Sequence, residues 1–333
     1  MTKGTRYFIS AASMIMVAGL CTGLVAYYSG GLPLMASHAA GNDDLAYVPA
    51  DSTVVAYANV RDIMNSEFRQ KLRQVMPTGE GRNEFFDETG IDLERDVVSV
   101  VAAFAGSPIG SATGNNTDKN FVLLVRGVFN PPVIQASAVQ RGATVSDYKG
   151  KQVITSKDGD GGVAFLEPGL AAIGATASLH RAIDAHAGGN VTGNADVMRM
   201  IGGVDPNANA WAVGRMDDMQ KVANLPEQVK SQLPAIQWFA VTGHVNGGVS
   251  GSIRAEARDD QAAENLRAVV NGGLALARLQ MGHDNKLDAV INSLQMNGTG
   301  KSVGLSFNLP SDIVEIISGA AGSGIANLHK QFR

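Results

Sequence analysis

The sequence predicts an α+β protein: an N-terminal transmembrane helix, then two duplicated halves of antiparallel sheet. Each half is expected to run β-α-ββα-ββα, with helices packed on one face. Three observations lead there. Residues 7–28 are an uncharged run of 22. Beyond them, short apolar stretches of period two alternate with longer ones whose apolar residues return every three or four positions, the marks of strands and helices. Finally, Asp51, Ala56, Ala58 and Arg61 recur as Asp205, Ala210, Ala212 and Arg215, with Tyr57 answered by Trp211, every pair offset by 154.

The first element is the uncharged run. A helix of that length rises about 33 Å, enough to cross the roughly 30 Å hydrocarbon core once. Lys3 and Arg6 precede it and no Lys or Arg follows before Arg61, so the positive-inside bias keeps residues 1–6 in the cytoplasm and exports the rest. Tyr27 and Tyr28 close the run where amphipathic rings prefer the headgroup region. The lipid bilayer is therefore an expected partner through residues 7–28. The expected location is the bacterial cytoplasmic membrane, single-pass, with the bulk in the periplasm.

A cleaved signal peptide ending at Ser37-His38-Ala39 competes with this reading, but the run exceeds the roughly 7–15 residues of a signal core. Lipidation at Cys21 is a third option, disfavoured because Leu20 is too large for the position before the cysteine. Gly19 and Gly23 form a Gly-x-x-x-Gly pair that lets a second membrane helix approach closely; glycine is also simply common in membrane helices, and both readings stand.

Composition bounds the remainder. With 333 residues, 45% hydrophobic and 17% charged, there is material for a sizeable core. A net charge of −4 supplies no basic field for nucleic acid. Cys21 is the sole cysteine and lies in the span, which excludes disulfides, a cysteine-ligated zinc and a cysteine nucleophile from the exported part.

Residues 29–46 read as a small-residue tether, 47–203 as the first half and 204–333 as the second. A strand is expected over 53–60 and an amphipathic helix over 61–76, stopped by Pro77. Two strands follow, 97–104 and 121–129. The loop 105–120 between them is long for a hairpin, and its Gly110, Asn115, Asn116 and Asp118 are candidate partner contacts. Pro131 and Pro132 open a helix through Gln140. A meander over 152–156, 163–166 and 170–174 precedes helices over 178–187 and 195–201. In the second half strands are expected over 236–245 and 249–257, with Val125-Arg126 falling on Ile253-Arg254 at a shorter offset of 128. A helix starts at Asp259, a last hairpin sets Leu294 and Met296 against Val303, Leu305 and Phe307, and Pro310-Ser311 begin a closing helix.

Val48-Pro49-Ala50-Asp51-Ser52, leading a strand after an anchor and tether, resembles the start of uncharacterised bacterial membrane-anchored extracytoplasmic families. The resemblance implies that layout and location, and brings no activity, cofactor or catalytic residue.

The remaining motifs read as structure. Asn297-Gly298-Thr299-Gly300-Lys301-Ser302 imitates the end of a phosphate-binding loop, but Gln295 stands where its first glycine belongs and a strand follows, so a hairpin turn is expected. Gly300-x-Ser302-x-Gly304 likewise lacks the helix that a nucleophile elbow requires. Asp158 and Asp160 fit a solvated turn better than a calcium loop. His180 and His186 are six apart on a helix and cannot share a metal. Asp217-Asp218 and Asp259-Asp260 suit helix caps. Met198, Met200, Met216 and Met219 suit core filling over an adaptable apolar groove.

No cofactor or metal is expected, and an enzyme is disfavoured. The expected function is a non-catalytic, membrane-anchored extracytoplasmic accessory or scaffold subunit, with other membrane proteins as partners. The alternative is a carrier or sensor holding a lipid or other apolar ligand in a cavity near Met216 and Trp211. A hydrolase whose triad assembles from distant segments comes third.

Overall fold

The computed structural model describes residues 42–68, 93–105, 121–159, 161–215, 236–245, 248–280 and 291–310. The stretch 7–28 expected to be an anchor, with Gly19 and Gly23, the loop residues Gly110, Asn115, Asn116 and Asp118, and the stretch after Pro310 expected to be a closing helix lie outside them. So do Met216, Asp217, Asp218 and Met219.

The element order is α1 (Asn42–Leu45), β1 (Val54–Ala58), α2 (Val60–Asn65), α3 (Leu93–Asp96), β2 (Val97–Phe104), β3 (Phe121–Gly127), α4 (Pro131–Gln140) and β4 (Thr144–Tyr148). Next come β5 (Lys151–Thr155), β6 (Gly162–Glu167), β7 (Leu170–Gly174), α5 (Thr176–Ala187), a 3₁₀ turn (Val191–Gly193) and α6 (Ala195–Ile201). The chain continues with β8 (Ala210–Arg215), β9 (Ile236–His244), β10 (Gly248–Ala257), α7 (Asp260–Gln280), β11 (Gln295–Asn297) and β12 (Ser302–Pro310).

Among the described residues all twelve strands join one antiparallel sheet in the order β11-β12-β10-β9-β8-β1-β2-β3-β7-β6-β5-β4. The mixed α+β class with antiparallel pairing thus holds, but the strands of the two expected halves share a single sheet. The strands before and after residue 204 meet at the β1–β8 seam, where Tyr57 stands opposite Trp211.

Helices cover both faces, which corrects the expectation of one. Adjacent residues show why. In β2, Val101 faces one core with Tyr57, Leu124, Leu179 and Trp211, while Val100 faces another with Ala58, Met64 and Val125. Successive strand residues point to opposite sides, so an uninterrupted apolar run needs cover twice. α5 and α6 supply the first cover through Leu179, Ala182, Ile183, Val197 and Met200. On the second face α2 packs through Val60 and Met64, and α7 sets Ala263 against Val303 of β12.

Local signals place several ends. Asn130 accepts from the Val133 N–H and Pro follows at once, starting α4. The Asp259 carboxylate accepts from the Ala262 N–H at 2.7 Å and caps α7 as expected. Gly298 and Gly300 have φ of +95° and +56°, the left-handed geometry a hairpin turn demands. That turn joins β11 to β12 with Met296 opposite Leu305, so the phosphate-loop imitation is a turn.

Residues 42–48 fall largely in the stretch read as tether, yet Asp44, Leu45, Tyr47 and Val48 are buried. The side chain of Asp44 receives Arg126 Nε at 2.9 and 3.2 Å, and Arg126 Nη2 as well. The Tyr47 hydroxyl donates to Glu167 at 3.0 Å. Burial first, and that bond second, push the Tyr47 phenol up to about 12; burial does the same to Tyr57. A phenol that holds its proton more tightly in the folded state contributes stability that is intact below its unfolded value of 10 and lost as pH rises towards 12. Urea midpoints are expected to fall steeply across that window, and the double variant Tyr47→Phe, Tyr57→Phe to show a flatter decline.

Candidate functional site

The third strands from the β1–β8 seam are β3 on one side and β10 on the other. Following the register outward on the face under α5 and α6, Tyr57 leads to Val101, then Leu124, then Ala172. All are buried. The matching walk from Trp211 leads to Thr242, then Ser252, then Ser306. One half carries hydrocarbon where the other carries hydroxyls. The neighbouring rows repeat the contrast, with Ala103 and Val122 on one side of the seam and His244 and Ser250 on the other.

The polar rows line a cleft of about 420 Å³, walled on its open side by Gly203, Val204 and Asp205. Inside it, Thr242 Oγ1 and Ser252 Oγ are 2.8 Å apart and share one hydrogen bond. His244 Nε2 lies 3.4 Å from Asp205 Oδ2, and the other oxygen of Asp205 accepts from the Asn207 N–H at 2.9 Å. Arg254 reaches across to the chain after α6. A Cβ on Gly203 would stand 2.7 Å from its Nη2, so a side chain there would push the guanidinium aside. Arg199, by contrast, is paired with Glu256 at 3.3 Å. Among the described residues Arg254 forms neither an ion pair nor a hydrogen bond.

Chemically the cleft presents a cation that no described residue neutralises, hydroxyls able to donate or accept, and an imidazole oriented by a carboxylate. That set can bind and orient a polar group. His244 and Ser250 are cross-strand partners beside Asp205, which brings a serine, a histidine and an aspartate together from distant segments. No hydrogen bond joins that serine to the histidine, as a relay would require.

In the sequence, Asp205 and Arg254 stand out only as echoes of Asp51 and Arg126, and His244 as one of several scattered histidines. A signal is nonetheless there: Ser250, Ser252 and Arg254 alternate at period two, as do Thr242 and His244, where β3 has Val122 and Leu124. His180 and His186 do not meet. Each stacks on a tyrosine, His180 on Tyr148 at 3.7 Å and His186 on Tyr47 at 4.2 Å. Met200 is buried in the core with Met198 packed against it. Asp158 sits in a turn with Gly159 at φ +76°. Trp211, expected beside an apolar cavity, is packed at 6% exposure. Among the described residues no group of His, Cys, Asp and Glu could hold a metal ion, and no helix is long and apolar enough to cross a membrane.

No protein-family model matches the chain, and no curated protein matches it. Among solved structures the chain is similar to TP0453. Crystal form I aligns with TM-score 0.45 and 10% identity over 84% of this chain and 98% of that one. Form III gives 0.45 and 9% over 83% and 97%, and form IV 0.45 and 10% over 82% and 96%. Likeness at that level does not extend to function.

Proposed function

We propose that this chain is a non-catalytic accessory or scaffold subunit held in the bacterial cytoplasmic membrane by residues 7–28, with its sheet displayed in the periplasm. The observation that carries the reading is the bilayer-length uncharged run together with the short connection from it to the sheet. Residues 29–41 span at most about 45 Å even when fully extended, and the segment beyond them is locked into the body by Asp44–Arg126. An anchor so connected keeps the sheet close to the bilayer and to neighbouring membrane proteins. Gly19 and Gly23 suit helix–helix packing with such a neighbour.

We also read residues 47–203 and 204–333 as two copies of one unit. Supporting this, Tyr57 and Trp211, directly opposed across the seam, are the pair that the 154-residue offset equates. Arg126 and Arg254 then occupy matching places on the third strand of each half.

Fractionation tests the location. The full chain is expected to stay in the membrane pellet through an alkaline carbonate wash, and deletion of residues 7–28 to release it. In mild detergent it is expected to run as part of a larger assembly that Gly19→Leu with Gly23→Leu disrupts. A mature chain that begins after Ala39 and washes free would overturn the anchor; a solitary monomer unaffected by the glycine changes would overturn the scaffold role.

A further inference from the structure

We infer that the cleft between β9, β10 and the Gly203–Asp205 segment binds a phosphate group, with Arg254 as its counter-charge and the Thr242–Ser252 hydroxyls beneath it. The comparison of the two sides of the sheet carries this. Arg126 and Arg254 hold matching positions, but Arg126 is neutralised by a carboxylate from its own chain, the buried Asp44. At Arg254 no described residue supplies such a carboxylate, and the guanidinium opens on a cleft instead. An arginine fork matches the oxygens of a phosphate two at a time.

The donors around it are suitably spread. Same-face neighbours along a strand are about 6.6 Å apart, so the Thr242–Ser252 pair lies between Arg254 and the His244–Ser250 pair, within one group's reach of each. The shared Thr242–Ser252 bond uses one hydroxyl proton and leaves the other to donate upward. Asp205 also lines the cleft, with one of its oxygens accepting a backbone N–H and the other facing His244. At about 420 Å³ the cleft exceeds a bare phosphate and falls within the range of small-ligand sites. A phosphorylated small molecule and a phospholipid headgroup present the same chemistry to it.

The test uses the full chain in neutral detergent. It is titrated with inorganic phosphate and, separately, with dihexanoyl phosphatidic acid below its micelle concentration, following phosphorus NMR line broadening. Saturable binding is expected, weakened at least tenfold by Arg254→Ala and several-fold by Thr242→Val, a near-isosteric change that leaves the melting temperature in place. Saturation by inorganic phosphate identifies a soluble phosphate ligand. Saturation by the short-chain lipid alone identifies a headgroup. No saturation by either probe, or both variants binding like the parent, overturns the site. Neither result depends on whether residues 7–28 anchor the chain.

Discussion

Arg126→Ala is expected to destabilise the protein by about 3 kcal/mol, the usual consequence of leaving a buried carboxylate without its partner. Asp44 is 4% exposed and its carboxylate takes Arg126 through more than one nitrogen. With the guanidinium gone, nothing in the pair offsets the loss of water around Asp44. Glu167 loses a nearby positive charge as well. Because Asp44 belongs to the first described segment, the variant should also expose residues 42–48 to protease before the sheet unfolds. Two comparisons isolate the cause. Arg181→Ala removes a bridge to Asp51 whose side chains are 35% and 66% exposed, and should cost under about 1 kcal/mol. Asp44→Leu with Arg126→Leu, which removes both charges, should recover most of the loss. Equal urea midpoints for Arg126→Ala and Arg181→Ala would show that the Asp44 pair does not hold the segment.

Trp211→Ala is expected to cost about 3–5 kcal/mol, the range for truncating a large buried aromatic. Trp211 is 6% exposed, its ring centroid is 5.8 Å from that of Tyr57, and the two face each other across the seam joining the two sides of the sheet. Truncation would open a cavity at the β1–β8 seam beneath α6, and the neighbouring backbone is too constrained by β1 and β9 to collapse into it. Trp211→Phe keeps most of the apolar volume and should cost about 1–2 kcal/mol less than alanine does. Thermal denaturation of the two variants beside the parent decides the matter; an alanine variant with the parent's melting temperature would mean the seam is not a packing centre.

How much of the fold is legible in the sequence depends on range. The start of α4 at Pro131 and its end at Gln140 come from a proline pair and a local run, and both match. The strand Thr144–Tyr148 is not legible. It is an edge strand whose first four residues are exposed, and without a buried face there is no alternation to read. Cover on both faces is legible in principle, since Val100 and Val101 are consecutive and both buried, a pattern that one-sided sheets do not show. The cleft is half legible: polar residues alternate along β9 and β10, but nothing short of the pairing of Ser252 with Thr242 brings them to one place.

By itself, the sequence determined the class of the fold, most helix and strand positions and the uncharged run at 7–28, because each depends on residues within a few positions of one another. The tertiary structure alone decided that the strands make one sheet and that Asp44 neutralises Arg126 while Arg254 is left facing a cleft. The joining of the two sides of the sheet and the pairing of Asp44 with Arg126 are set by contacts between residues more than eighty positions apart, Tyr57 with Trp211 and Asp44 with Arg126. The chain brings such residues together only when burial of apolar surface on both faces of the sheet offsets the entropy of ordering everything between them.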